Sequence, residues 1–79
     1  MDIMSTNSKD KSLLKSAAAL CAEFFADTLI DWDQGTIIVN IDYSNFEALN
    51  RELVKRNFNC IHETIFDETI TCCYICKSR

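Results

Sequence analysis

The chain has 79 residues, of which 48% are hydrophobic and 25% charged, with a single glycine, no proline and a formal net charge of −4. This describes one small domain that is too apolar to stay disordered and too short to bury a large core. The shortage of glycine and proline argues against a loop-rich enzyme and a many-turned β-sandwich, and the acidic balance argues against general nucleic-acid binding, which needs a surplus of Lys and Arg.

Residues 1–8 are polar and read as a disordered N-terminal tail ahead of one domain over residues 9–79. The opening "MDIMSTNSKDK" lacks the apolar run of a secretory signal, and no stretch is apolar enough to span a bilayer. A cytoplasmic location is expected from this, and a reducing compartment leaves the five cysteines as thiols.

A first helix is expected from about Ser8 or Lys9. Leu13, Leu14, Ala17, Ala18, Leu20, Cys21, Phe24 and Phe25 recur at steps of three and four, the helical period. Its end has two readings. In one, the helix runs to Ile30 and Asp31–Gly35 is a loop. In the other, it stops near Asp27, Leu29–Trp32 is a strand, and Asp33-Gln34-Gly35 is a hairpin turn with glycine at the position needing positive φ. Persistence of the apolar stripe to Leu29 favours the first.

Thr36–Ile41, "TIIVNI", is rich in β-branched residues and reads as a strand with Ile37, Val39 and Ile41 on one face. A second helix comes next. Ser44 and Glu47 have capping-box spacing, Phe46, Leu49, Leu53 and Val54 form the buried stripe, and Asn57 suits a left-handed stop. "FNCIHETIF" and "TITCCYIC" then form a hairpin about Asp67-Glu68. The resulting fold class is α+β: a three- or four-stranded, mostly antiparallel sheet packed on two helices, in the order α-β-α-β-β with a possible extra strand at 28–32.

The hairpin holds four cysteines and the only histidine. With Asp67 and Glu68 as central turn residues, Phe66 faces Thr69, Ile65 faces Ile70 and His62 faces Cys73. Strand alternation then puts Cys60, His62, Thr64, Thr71, Cys73 and Ile75 on one face, and Ile61, Glu63, Ile65, Ile70, Cys72, Tyr74 and Cys76 on the other. Cys60, His62 and Cys73 are candidate zinc ligands in this register, with Cys76 as a fourth only if the strand bends. The competing reading, which the spacing favours, is cysteine as a small buried apolar residue, with no cofactor. A Cys73–His62 nucleophile and base pair lacks any sign of a substrate pocket, so no enzymatic activity is expected.

The carboxylates of Asp27, Asp31, Asp33 and Asp42 flank the first clear strand without calcium-loop spacing. Arg51, Lys55 and Arg56 make a basic patch on the second helix, where Glu47 and Glu52 precede Arg51 and Arg56 by four residues and can pair with them. The expected function is a small non-catalytic module that binds a protein, presenting Asp31, Trp32, Asp33, Glu63, Asp67 and Glu68 to a basic surface. Size and charge are similar to those of small phage-encoded inhibitors of host machinery, an analogy that rests on no motif. The alternatives are a module that touches nucleic-acid phosphates through Arg51, Lys55 and Arg56, and a zinc-stabilised domain. A homodimer through an exposed edge strand, either "TIIVNI" or "TITCCYIC", is a further expectation.

Overall fold

A computed structural model describes residues 3–76, with side chains from residue 11 onward. The elements are α1 (Ile3–Glu23), β1 (Asp27–Asp31), β2 (Thr36–Asp42), α2 (Tyr43–Lys55), β3 (Phe58–Phe66) and β4 (Thr69–Cys76). The strands form one antiparallel sheet in the order β1-β2-β4-β3. Both helices pack on one face of it. Leu14, Ala17, Leu20 and Cys21 of α1 and Leu49 and Leu53 of α2 meet Ile37, Val39, Ile41, Phe58, Ile70, Cys72 and Tyr74 from the sheet. The fold is therefore two-layered α+β, with one sheet face left open. Among the described residues no helix is long and apolar enough to cross a membrane.

Helix α1 starts at Ile3, earlier than the Ser8–Lys9 start expected, and residues 1 and 2 lie outside the described residues. No proline or glycine interrupts the polar opening, so nothing in the backbone chemistry forbids the extra turns. The other end corrects the favoured sequence reading, because the helix stops at Glu23 and Asp27–Asp31 is a strand. The stop is a Schellman motif. The Phe25 N–H donates to Ala22 O at 3.0 Å, and the Ala26 N–H donates to Cys21 O at 3.0 Å, while Phe25 takes φ 63°. Strand pairing decides the conformation of the next segment. Leu29 faces Ile38 and Ile30 faces Ile37, so β-branched residues gain a ladder that a longer helix forgoes. Gly35, at φ 70°, closes the β1–β2 turn by donating its N–H to Asp31 O at 2.9 Å. Asp31 Oδ1 accepts the N–H groups of Asp33 and Gln34 at 3.1 and 3.3 Å, which ties the same turn from the side.

The cap of α2 is also displaced from the expected one. Asp42, the last residue of β2, is the N-cap; its Oδ2 accepts the Ser44 hydroxyl at 2.5 Å and the Ser44 N–H at 3.4 Å. Asp42 holds extended angles (φ −65°, ψ 140°), the backbone an N-cap requires, whereas Ser44 is already helical. Asn57 ends the helix at φ 67°, in the left-handed conformation read from the sequence.

The hairpin register matches the reading from Phe66↔Thr69 back to His62↔Cys73. It then breaks. Cys60 faces Tyr74, not Ile75, because a bulge at Ile61 inserts one extra residue between Cys60 and His62. Cys60 is thereby turned toward the helices and packs against the core. The edge strands differ as well. "TIIVNI" and "TITCCYIC" form the two central strands, and the edges are β1 and β3. Pairing with a second copy through β2 or β4 is therefore closed off, and the β1 edge is blunted by Asp27 and Asp31.

Phe25 is 88% exposed, so its side chain offers little burial to offset the left-handed backbone. Phe25→Gly should raise stability by roughly 0.5–1 kcal/mol, the left-handed penalty less the added chain entropy of glycine. Urea unfolding monitored by circular dichroism measures this, and a lower midpoint for the variant would contradict the helix stop at this residue.

Candidate functional site

Three groups of side chains bear on function, and the sheet distributes them unlike the sequence reading. The first is the cysteine set. Cys21 and Cys72 are buried, and Cys60, Cys73 and Cys76 are half-buried; none of the five is in a disulfide. The expected zinc set of Cys60, His62, Cys73 and Cys76 is not assembled. His62 and Cys73 face each other on the open side of the sheet, while Cys60 and Cys76 lie opposite Tyr74 and Phe58 on the helix side. The physical reason is the bulge at Ile61, which reverses the alternation for every β3 residue before it. The His62 ring lies 3.4 Å from Thr64 Oγ1, a neighbour on its own strand.

On the helix side, Cys60, Glu63 and Cys72 come together, with their sulfur and carboxylate atoms within 4.8 Å of one another. Tyr74 lies beside them, fully buried, and its hydroxyl donates to Asn50 Oδ1 on α2 at 2.6 Å. Burial, reinforced by the nearby Cys60 and Glu63, pushes the Cys72 thiol up to about 12, and burial alone pushes Cys21 up to about 11. Burial also raises the Tyr74 hydroxyl above its usual range. These groups are neutral in the folded protein at ordinary pH.

The second group is the acidic one. The β1–β2 turn (Asp31, Trp32, Asp33) and the β3–β4 turn (Asp67, Glu68) sit at opposite ends of the sheet, since Thr36 pairs with Ile75 and Asp42 with Thr69. The seven residues of β2 separate them, about 20 Å. Glu63 lies between, on the helix side. The six expected contact residues therefore do not form one surface.

The β3–β4 end carries a different arrangement. The Tyr43 N–H donates to Glu68 O at 2.8 Å, and Asn45 Nδ2 donates to Phe24 O at 3.3 Å, so the end of α1, the start of α2 and the hairpin turn are tied together. Three aromatic side chains are exposed there: Phe25 at 88%, Phe66 at 80% and Tyr43 at 61%. Asp27, Asp42, Asp67 and Glu68 are exposed around them. Lys11, Lys15, Arg51, Lys55 and Arg56, the basic residues whose side chains are described, are all eight or more residues of helix away from that end. Beside it, a groove of about 440 Å³ runs between α2 and β3, lined by Tyr43, Ser44, Phe46, Glu47, Glu63, Ile65 and Ile70.

The third group is the basic patch. Arg51, Lys55 and Arg56 are exposed near the C-terminal end of α2, and Lys55 pairs with Glu52 at 3.3 Å, one residue short of the Arg56 partner expected. Trp32 is 44% exposed in the β1–β2 turn, far from the exposed aromatic trio.

Sequence reasoning missed this trio because Phe25 reads as the continuation of a helical stripe, and Phe66 and Tyr43 as ordinary strand and helix residues. Their one signal is position, since each is next to an element boundary. Comparison with models of known protein families, with characterised proteins and with solved structures finds no match.

Two outcomes are expected from the buried polar groups. The thiols of Cys21 and Cys72 stay protonated in the folded chain well above the ordinary value of 9.0. The unfolded chain thus loses protons first, and stability present below pH 9 falls as the pH rises toward 11. Urea midpoints at pH 7.5 and 10 under reductant should show the fall, and Cys21→Ala should lessen it; an equal fall in the variant would contradict the assignment. Tyr74→Phe, which deletes the hydroxyl bonded to Asn50, should cost about 1–2 kcal/mol in the same assay.

Proposed function

We propose that the protein is a non-catalytic binding module whose β3–β4 end docks on a basic surface of a larger protein, in the manner of an inhibitor or regulator. The observation that carries this reading is that Phe25, Tyr43 and Phe66 are all exposed at the same end of the sheet as Asp27, Asp42, Asp67 and Glu68, with every described Lys and Arg side chain held away. Exposed large aromatics are costly in water and are the side chains that supply most binding energy once a partner covers them. Carboxylates at the rim steer a basic partner into place and set the salt dependence of association. Phe25 adds a second argument. It occupies a left-handed position that glycine fills at lower cost, and strained residues persist where they are used.

The reading keeps the acidic-surface expectation and moves it from six scattered residues to one end of the fold. Asp67 and Glu68 remain in the contact set, and Asp31, Trp32, Asp33 and Glu63 leave it.

The test begins with capture of partners on the immobilised chain from nuclease-treated lysate, followed by titration of the purified partner. Phe66→Ala and Tyr43→Ala should each weaken binding by about tenfold or more, the loss typical of interface anchors. A double Asp67→Lys, Glu68→Lys variant should slow association and flatten its salt dependence. Changing Arg51, Lys55 and Arg56 to Glu should leave the affinity unchanged. Loss of binding in that triple variant, or on nuclease treatment, would overturn the reading in favour of phosphate contacts by α2.

A further inference from the structure

We infer that Cys60, Glu63 and Cys72 form a binding site for a thiophilic divalent cation of the zinc type. The inference stands on residues other than those of the docking end and does not depend on the proposed docking function. The two sulfurs and a carboxylate oxygen already lie within 4.8 Å of one another. A tetrahedral zinc ion with bonds of about 2.3 Å to sulfur and 2.0–2.2 Å to oxygen holds its ligand atoms about 3.5–3.8 Å apart. The three ligand atoms are therefore within about an ångström of that spacing.

The backbone builds this convergence. Cys72 is fixed in a central strand and is 1% exposed. Cys60 reaches the same side only because of the bulge at Ile61; in an unbulged strand its side chain points to the open face. Bulges that re-aim one side chain are characteristic of functional positions. Glu63 faces Cys72 directly across the ladder. The Cys60 thiol donates to the His62 carbonyl at 3.5 Å, a weak S–H···O hydrogen bond that is given up readily.

The donor set selects the ion. Two thiolates favour zinc over magnesium or calcium, which take oxygen ligands, and one carboxylate completes a three-ligand set. Both thiols release their protons to solvent as the ion binds. Glu63 also lines the groove between α2 and β3, so its carboxylate is reached from water there. An ion held at this site pins β3 to β4 just behind the hairpin that carries Phe66.

The test uses the full chain, reduced and freed of metal, titrated with cobalt(II) and then with zinc in competition. The wild-type chain should bind one cobalt ion with thiolate-to-cobalt charge-transfer absorption, and zinc should displace it. Cys60→Ser should weaken binding by more than about 100-fold, beyond the loss seen for groups that merely orient a ligand. Glu63→Gln should weaken it less, and Cys73→Ser on the opposite face should bind as the wild type does. Cys60 and Glu63 are not in the sealed core, so circular dichroism of these variants should match the wild type and separate ligand loss from misfolding. Absence of the charge-transfer band would overturn the inference. So would binding that survives Cys60→Ser, or binding that is lost in Cys73→Ser, which would place the ion with His62 on the open face.

Discussion

The antiparallel pairing of β2 with β4 is the constraint on which the rest of the molecule depends. It sets Ile37 opposite Tyr74, Val39 opposite Cys72 and Ile41 opposite Ile70, all on the face that the helices cover. Each pair is buried and in direct cross-strand contact, the arrangement in which a sheet gains most from its side chains. A slip of one residue in either strand would turn that strand's three buried residues to water, so the register has no close competitor. The two strands are joined through α2 and β3, so this pairing also seats the second helix on the sheet.

The outer strands are less constrained and carry the features with chemical interest. β1 pairs with β2 alone, and its edge is guarded by aspartates. β3 pairs with β4 alone, is largely exposed, and absorbs an extra residue at Ile61 while Phe58 stays in the core. That one insertion decides the chemistry of the hairpin. It separates Cys60 from His62 and Cys73, and joins it to Cys72 and Glu63. At the other end of the same hairpin, the turn meets the end of α1 and the start of α2, so the exposed aromatics and the acidic groups share one end of the sheet by topology and not by nearness in sequence.

Much of the fold was legible from residue pattern. The stripe through Leu14, Ala17 and Cys21, the alternation of Ile37, Val39 and Ile41, the left-handed stop at Asn57 and the hairpin register near its turn all arise from local periodicity and turn chemistry. The end of α1 was not, because Phe25 sits where glycine is the usual signal and the apolar stripe runs straight through it. Asp42 was passed over as a cap since it also completes β2. The bulge leaves no glycine or proline to mark it; Ile61 is an ordinary strand residue, and only the competition between Cys60 and Ile61 for the core side places it. The site was less legible than the fold for the same reason. Cys60 and Cys72 were visible as residues, but which face each occupies depends on one uncounted insertion, and the acidic residues were grouped by chain proximity when the sheet separates their turns by its full length.

The most direct test of this account is a solution measurement of proton–proton contacts across β3 and β4 in the full chain. The bulged register predicts backbone contacts linking Cys60 with Tyr74 and His62 with Cys73, together with contacts between the Cys60 and Cys72 side chains. Backbone contacts of Cys60 with Ile75, continuous with His62 facing Cys73, would show an unbulged strand. Cys60 would then lie on the open face, and both the register and the metal site built on it would be contradicted.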